Sequence, residues 1–210
     1  MAYDLEEQEQ LAQLKAWWNK YGSLTLGLLS LALATVLGWQ AWNWYNTNQA
    51  QQARGYYEAL EKAAADRSDD ALPRIQAASL ALQQNFGRTE YAARGALVAS
   101  HALANRGQAQ AAQEPLNWLA TSGHEALAPV ARLRLAGLLL DLGQYDQALA
   151  QLQAPPDGFN ALFADRRGDI LMAQGQVEQA RQAWREALES LRPGDALGSV
   201  VQLKLDTIGS

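Results

Sequence analysis

The sequence contains no cysteine, which excludes disulfides, thiolate nucleophiles, iron–sulfur clusters and cysteine-based zinc sites. Histidine is scarce: His101 and His124 stand in neither the H-x-x-x-H nor the H-E-x-x-H spacing that would place two imidazoles on one metal. Both read as surface or packing residues. Positive charge is not in excess. The net charge is −5 and both signs are mixed along the chain, so the basic stripe that nucleic-acid binding requires is missing. The P-loop, G-x-G-x-x-G and G-x-S-x-G motifs are all lacking. No catalytic residue, cofactor, metal or small-molecule substrate is expected, and the chain is not read as an enzyme. The Val/Ile/Thr alternation that marks strands is also sparse.

What remains is rich in Ala, Leu, Gln, Glu and Arg, all good helix formers, and the composition predicts an all-α chain. No charged residue occurs between Lys20 and Arg54. The apolar run Leu24–Trp39 lies inside that window. From Tyr21 to Trp44 a helix rising about 1.5 Å per residue would cross a hydrocarbon core of about 30 Å. Trp17, Trp18 and Tyr21 flank one end; Trp39, Trp42, Trp44 and Tyr45 flank the other. Amphipathic rings favour the headgroup region, so paired belts mark two interfaces. A cleaved signal peptide fits poorly, because the A-x-A sequence Ala32–Ala34 lies mid-run and the leading segment carries Asp4, Glu6, Glu7 and Glu9. Lys15 and Lys20 adjoin the first end, whereas the next basic residue on the other side is Arg54. That asymmetry orients the N-terminus to the cytoplasm. The expected division is a cytoplasmic tail over 1–20, a transmembrane helix over 21–44 and a helical domain over 45–210. Ser30, Ala34 and Gly38 recur at i, i+4 and i+8 as a small-residue stripe, a pattern that permits close helix packing in a membrane.

The helical domain repeats itself. Asn105-Arg106-Gly107, Asp141-Leu142-Gly143 and Ala173-Gln174-Gly175 each close an apolar-periodic run. Each glycine is followed five residues on by alanine: Ala112, Ala148 and Ala180. The glycines lie 36 and 32 residues apart, bracketing the 34 of a tetratricopeptide (TPR) helix–turn–helix repeat. Glycine suits a tight turn needing φ > 0, and the alanine lets the second helix approach the first. In the third repeat Gly168, Gly175, Ala180, Ala187 and Pro193 fall at or beside the repeat's small and proline positions, with Trp184 at the large aromatic one. The second keeps Leu135, Gly143, Tyr145 and Ala148 and breaks early at Pro155-Pro156. The first has Ser100 where glycine is usual. Asp70 is expected as the N-cap of a helix entered through Pro73 and ended near Phe86-Gly87. Leu197 to Ile208 is expected as a C-terminal capping helix. Trp118 and Trp184 are expected in packing roles, and Arg166-Arg167 as a candidate for an interhelical ion pair. Asp69-Asp70 reads as a solvated turn.

Stacked helix pairs present a concave groove lined by the first helix of each pair. Repeat phase places Arg94, Leu97 and His101 there from the first repeat. The second supplies Leu133, Gly137, Leu140 and Asp141, and the third Asp165, Asp169 and Met172. Such a surface binds protein, and a structural scaffold for another inner-membrane assembly could use the same groove.

One combination is more specific than the repeats alone. An acidic N-terminal tail precedes Trp17-Trp18 and an anchor ending in Gly38-Trp39 and Trp42-Asn43. A degenerate TPR domain follows, with Ala164-Asp165-Arg166-Arg167-Gly168, Gly175, Ala180-Arg181 and Ala183-Trp184, and the chain closes with Gln202-Leu203-Lys204. The chain resembles the YfgM family of ancillary subunits of the bacterial SecYEG translocon. The resemblance implies an inner-membrane protein with a periplasmic TPR-like domain. It implies SecYEG, a PpiD-like periplasmic chaperone and exported chains as partners, and a chaperone-like adaptor role without catalysis.

Overall fold

The computed structural model describes residues 2–68, 70–192 and 194–209. Asp69 and Pro193, which entered the sequence reading, lie outside them. The described residues form helices and turns with no strand: α1 (Ala2–Ala65), α2 (Ala71–Phe86), α3 (Glu90–Ala104), α4 (Ala109–Thr121), α5 (Ala128–Asp141), α6 (Tyr145–Gln151), α7 (Asn160–Ala173), α8 (Val177–Glu189) and α9 (Ala196–Gly209). The chain divides into two compact units, Met1–Gln49 and Ala50–Ser210.

The first unit carries the segment that is long and apolar enough to cross a membrane. Its leucines from Leu24 to Leu37 are all more than half exposed, as a lipid-facing helix requires and a soluble core helix does not. Thr25 and Thr35 each donate a hydroxyl hydrogen bond to the carbonyl four residues earlier, Tyr21 at 2.9 Å and Leu31 at 2.8 Å. Their polar atoms are thereby satisfied within the helix, the condition imposed by an apolar solvent. Ser30, Ala34 and Gly38 are exposed, and a Cβ added at Gly38 would touch nothing within 4 Å.

The second unit is a row of helical hairpins. α3 pairs with α4, α5 with α6 and α7 with α8, while α2 packs on α3 and α9 on α8; Leu60, near the end of α1, shares a core section with Ile75 and Leu82 of α2. The three repeat turns share one geometry. Gly107, Gly143 and Gly175 have φ of 72, 70 and 77°, the left-handed region that glycine enters without a Cβ penalty. In each, the amide of the next residue reaches back across the turn: Gln108 to the Leu103 carbonyl at 3.0 Å, Gln144 to Leu139 at 2.9 Å and Gln176 to Leu171 at 2.9 Å. This six-to-one bond is the Schellman closure of a helix end. Ala112, Ala148 and Ala180 are each fully buried, where the second helix presses on the first.

The closest approach is in the third hairpin. A Cβ added at Gly168 would lie 2.4 Å from Nε1 of Trp184, and Trp184 is only 4% exposed. Glycine at that place and tryptophan opposite it are one packing decision. Gly95 of α3 plays a comparable part toward α2, with Leu82 Cδ1 2.7 Å from its absent Cβ.

The core is continuous along the row. Leu60, Ile75 and Leu82 belong to its first section, Leu116, Leu135 and Phe163 to its middle, and Ala180, Trp184 and Val201 to its last; Trp118 and Leu149 bridge adjoining sections. Two helix ends are covered by arginines from neighbouring elements. Arg106 donates to the carbonyls of Ala64 at 2.8 Å and Asp66 at 2.6 Å, closing α1. Arg132 of α5 donates Nε to Gln151 O at 2.8 Å and also bonds the Gln153 carbonyl, covering the end of the seven-residue α6. There the chain breaks ahead of Pro155-Pro156, with Ala154 at φ 47°.

Some large apolar side chains of the domain point outward. Tyr56 is 44% exposed and Leu80 52%, although the Tyr56 ring rests 5.3 Å from that of Phe86. On α9, Val201 is buried and Leu197, Leu205 and Ile208 pack on the last core section, whereas Val200 and Leu203 face solvent. One helix face can dock at a time, and the 3.6-residue period turns those two away from α8. Asp70 precedes α2 as expected but makes no side-chain capping bond; side chains do cap α3, where Thr89 accepts from the Ala92 amide at 3.3 Å, and α9, where Asp195 accepts from the Leu197 amide at 3.2 Å.

Candidate protein-docking groove

The first helices of the three hairpins, α3, α5 and α7, share one side of the row. Between them lies a groove of about 300 Å³ whose lining includes His101 and Ala104 of α3, Leu133, Arg134, Gly137 and Asp141 of α5, and Arg166 of α7. Leu133, Gly137 and Asp141 recur every four residues and therefore share a helix face. Leu116 and Leu138 supply an apolar floor.

Four residues placed there by repeat phase converge in this groove: His101, Leu133, Gly137 and Asp141. The other six lie apart from it. Leu97 and Leu140 are half-buried and lean on the middle core section. Arg94 is exposed and near Tyr57; burial chiefly raises the Tyr57 pKa, and the Arg94 charge opposes that rise. Met172 is 37% exposed near the end of α7.

Asp165 and Asp169 are engaged within the chain. Nζ of Lys204, on α9, lies 2.7 Å from Asp165 Oδ1 and 2.6 Å from Asp169 Oδ1. Trp184 Nε1 donates to the same Asp169 oxygen at 3.3 Å, and the ammonium sits 5.8 Å from the indole centroid. The last helix thus closes the inner face of the third hairpin with a cation held by two carboxylates and an aromatic ring.

Arg134 and Arg166 were not among the residues assigned to the groove by phase. Arg166 lies over Gly137, its guanidinium 3.6 Å from where a Cβ would stand. Among the described residues its one ionic contact is Asp169 Oδ2 at 3.8 Å, beyond hydrogen-bond length. Arg134 forms no ion pair among the described residues. The neighbouring Arg167 is paired across the hairpin with Glu186 of α8, the interhelical ion pair expected of the Arg166-Arg167 dipeptide. A signal for Arg134 was available: it adjoins Leu133 and lies seven residues before Asp141, about two helical turns along the same face.

His101 is exposed in the groove lining, whereas His124 is half-buried. His101 shares a hydrogen bond with Asn105 at 2.9 Å. His124 Nε2 donates to the Gly87 carbonyl at 2.8 Å and lies 6.0 Å from the Trp118 ring. Among the described residues no group of three His, Asp or Glu could hold a metal ion.

The family described as the tetratricopeptide repeat-like domain matches residues 15–210. A protein of Haemophilus influenzae named "Ancillary SecYEG translocon subunit" is 30% identical over 192 residues, 90% of this chain and 92% of that one. Proteins of the same name are 29% identical in Neisseria gonorrhoeae over 211 residues, 99% of this chain and 100% of that one. In Escherichia coli K12 the identity is 28% over 206 residues, 96% of each chain.

Proposed function

The chain belongs to the tetratricopeptide repeat-like family that holds the ancillary SecYEG translocon subunits, and we propose that it is a membrane-anchored, non-enzymatic adaptor at the Sec translocon. The observation that carries this reading is the extent of the likeness, which takes in the apolar N-terminal segment and the repeat domain together. A translocon partner needs both, an anchor that keeps it in the bilayer and a surface for other proteins. Residues 1–20 form the cytoplasmic tail, 21–44 the inner-membrane span and 45–210 the periplasmic domain in this reading. Lys15 and Lys20 hold the N-terminus inside. The groove between α3, α5 and α7, with Leu97, Leu140 and Met172 on adjoining surface, is the docking face for a PpiD-like chaperone or an emerging exported chain. Apolar contact supplies area there, while Arg94, Asp141 and the guanidiniums set orientation and on-rate.

Co-purification of the full chain from membranes in mild detergent tests the proposal. SecYEG subunits are expected among the retained proteins. Recovery of a different inner-membrane assembly without SecYEG would overturn it.

A further inference from the structure

We infer that the groove takes a short acidic segment of its protein partner, one that sets carboxylates on Arg134 and Arg166 beside an aliphatic side chain. The inference rests on the docking role proposed for that face and adds the chemistry of what docks.

Several cations of this domain are engaged within the chain. Arg106 and Arg132 close helix ends, Arg74 pairs with Asp66 and Asp70, Arg167 pairs with Glu186, and Lys204 bridges Asp165 and Asp169. Arg134 and Arg166 line one concavity with no hydrogen-bond acceptor claimed among the described residues. Asp169, the carboxylate next to Arg166, is already bonded to Lys204 and Trp184. A guanidinium offers five donors in a planar fork that suits a carboxylate in two-point contact.

The rest of the lining limits what can bring that carboxylate. Gly137 presents no side chain, and the Arg166 guanidinium lies over it at van der Waals contact distance, so the fork is held at the α5 surface within the groove. Leu133 and Leu138, both half-buried, offer apolar surface next to the charge. At about 300 Å³ the groove has room for a few side chains rather than a folded domain. Asp141 at its rim disfavours a second acidic group at that end and gives the segment a direction.

The test uses the full chain in detergent and three fluorescein-labelled peptides that differ only in charge: Leu paired with Glu, the same with Gln, and the same with Lys. Fluorescence anisotropy should show the Glu peptide binding at least tenfold more tightly than the Gln peptide, with affinity falling as sodium chloride rises. The Lys peptide should not bind. Arg134→Glu with Arg166→Glu should exchange the preferences, losing the Glu peptide and gaining the Lys peptide. Arg134→Gln alone, at an exposed position, should weaken the Glu peptide several-fold with unchanged circular dichroism, which separates lost recognition from lost folding. Equal binding of the three peptides, no binding of any, or indifference to charge reversal would each overturn the inference. Co-purification of the reversed variant keeps the two readings apart. Loss of peptide preference in a parent chain that still retains SecYEG sinks only the acidic-segment inference. Charge-selective binding by a chain that retains no SecYEG sinks only the translocon role.

Discussion

Trp184 and Gly168 act as one unit, and their energetics should show it. Trp184 is buried, donates to Asp169 and fills the space a side chain at residue 168 would need. Trp184→Ala should cost about 3–5 kcal/mol of domain stability, the usual loss for a buried large aromatic. Gly168→Ala should cost about 1–3 kcal/mol through overpacking. The double variant should lose less than the two losses combined, because removing the indole opens room for the methyl. Chemical denaturation followed by circular dichroism would measure all three; strict additivity would mean that the two residues do not compete for space. A second residue-scale expectation concerns acid. Asp66 is held at a pKa of about 2 by the Ser68 amide, which donates to it at 2.9 Å, then by the Ser68 hydroxyl and the Arg74 guanidinium. Its folded value lies below its unfolded one, so the contribution to stability is whole above about pH 4 and is lost as pH falls toward 2. Arg74→Ala should move the Asp66 titration upward toward the ordinary carboxylate range, as carboxylate chemical shifts would report.

Among the elements, α6 departs furthest from the repeat plan. It has seven residues, and the carbonyls exposed by its early end are covered from outside by Arg132, which also lies 5.0 Å over the Phe163 ring. Arg132→Gln should therefore destabilise by about 1.5–3 kcal/mol, the range for hydrogen bonds to charged groups. Hydrogen exchange should quicken in α6 before it quickens in α3. Arg132→Lys should rescue little, since an ammonium lacks the fork that spans several carbonyls. The sequence reveals these elements unevenly. The turns are plain because Gly107, Gly143 and Gly175 satisfy a local backbone demand, and Ala112, Ala148 and Ala180 a local contact. The convergence of Leu133, Gly137 and Asp141 is plain because their spacing is that of one helix face. Arg134 and Arg166 escape, since pattern does not tell which charges have partners elsewhere. Lys204 escapes more completely: it lies 39 and 35 residues from its two aspartates, and no periodicity links a capping helix to the carboxylates it closes.

For the molecule as a whole, the proposed topology sets what each side of the membrane can reach. Protease added to spheroplasts should digest the chain beyond about residue 45 and spare the tail that precedes Lys20, with the basic asymmetry around the span as the reason. A protected repeat domain would reverse the orientation. The repeat domain itself is stabilised by contacts between neighbouring hairpins, a nearest-neighbour arrangement in which stability depends on position along the row.

Such a row opens as a zipper does, from whichever end is free. Beyond its packing on α8, α9 is tied down by Lys204 and by Arg181, which donates to the Ile208 carbonyl at 3.2 Å. A terminal helix packs against a neighbour on one side only, so amide exchange should run fastest in α9 and slowest through α3 and α5. Each time the helix lifts, Asp165 and Asp169 lose their ammonium and the Trp184 indole loses the cation above it. The domain thus keeps this end shut with a clasp carried on α9 itself.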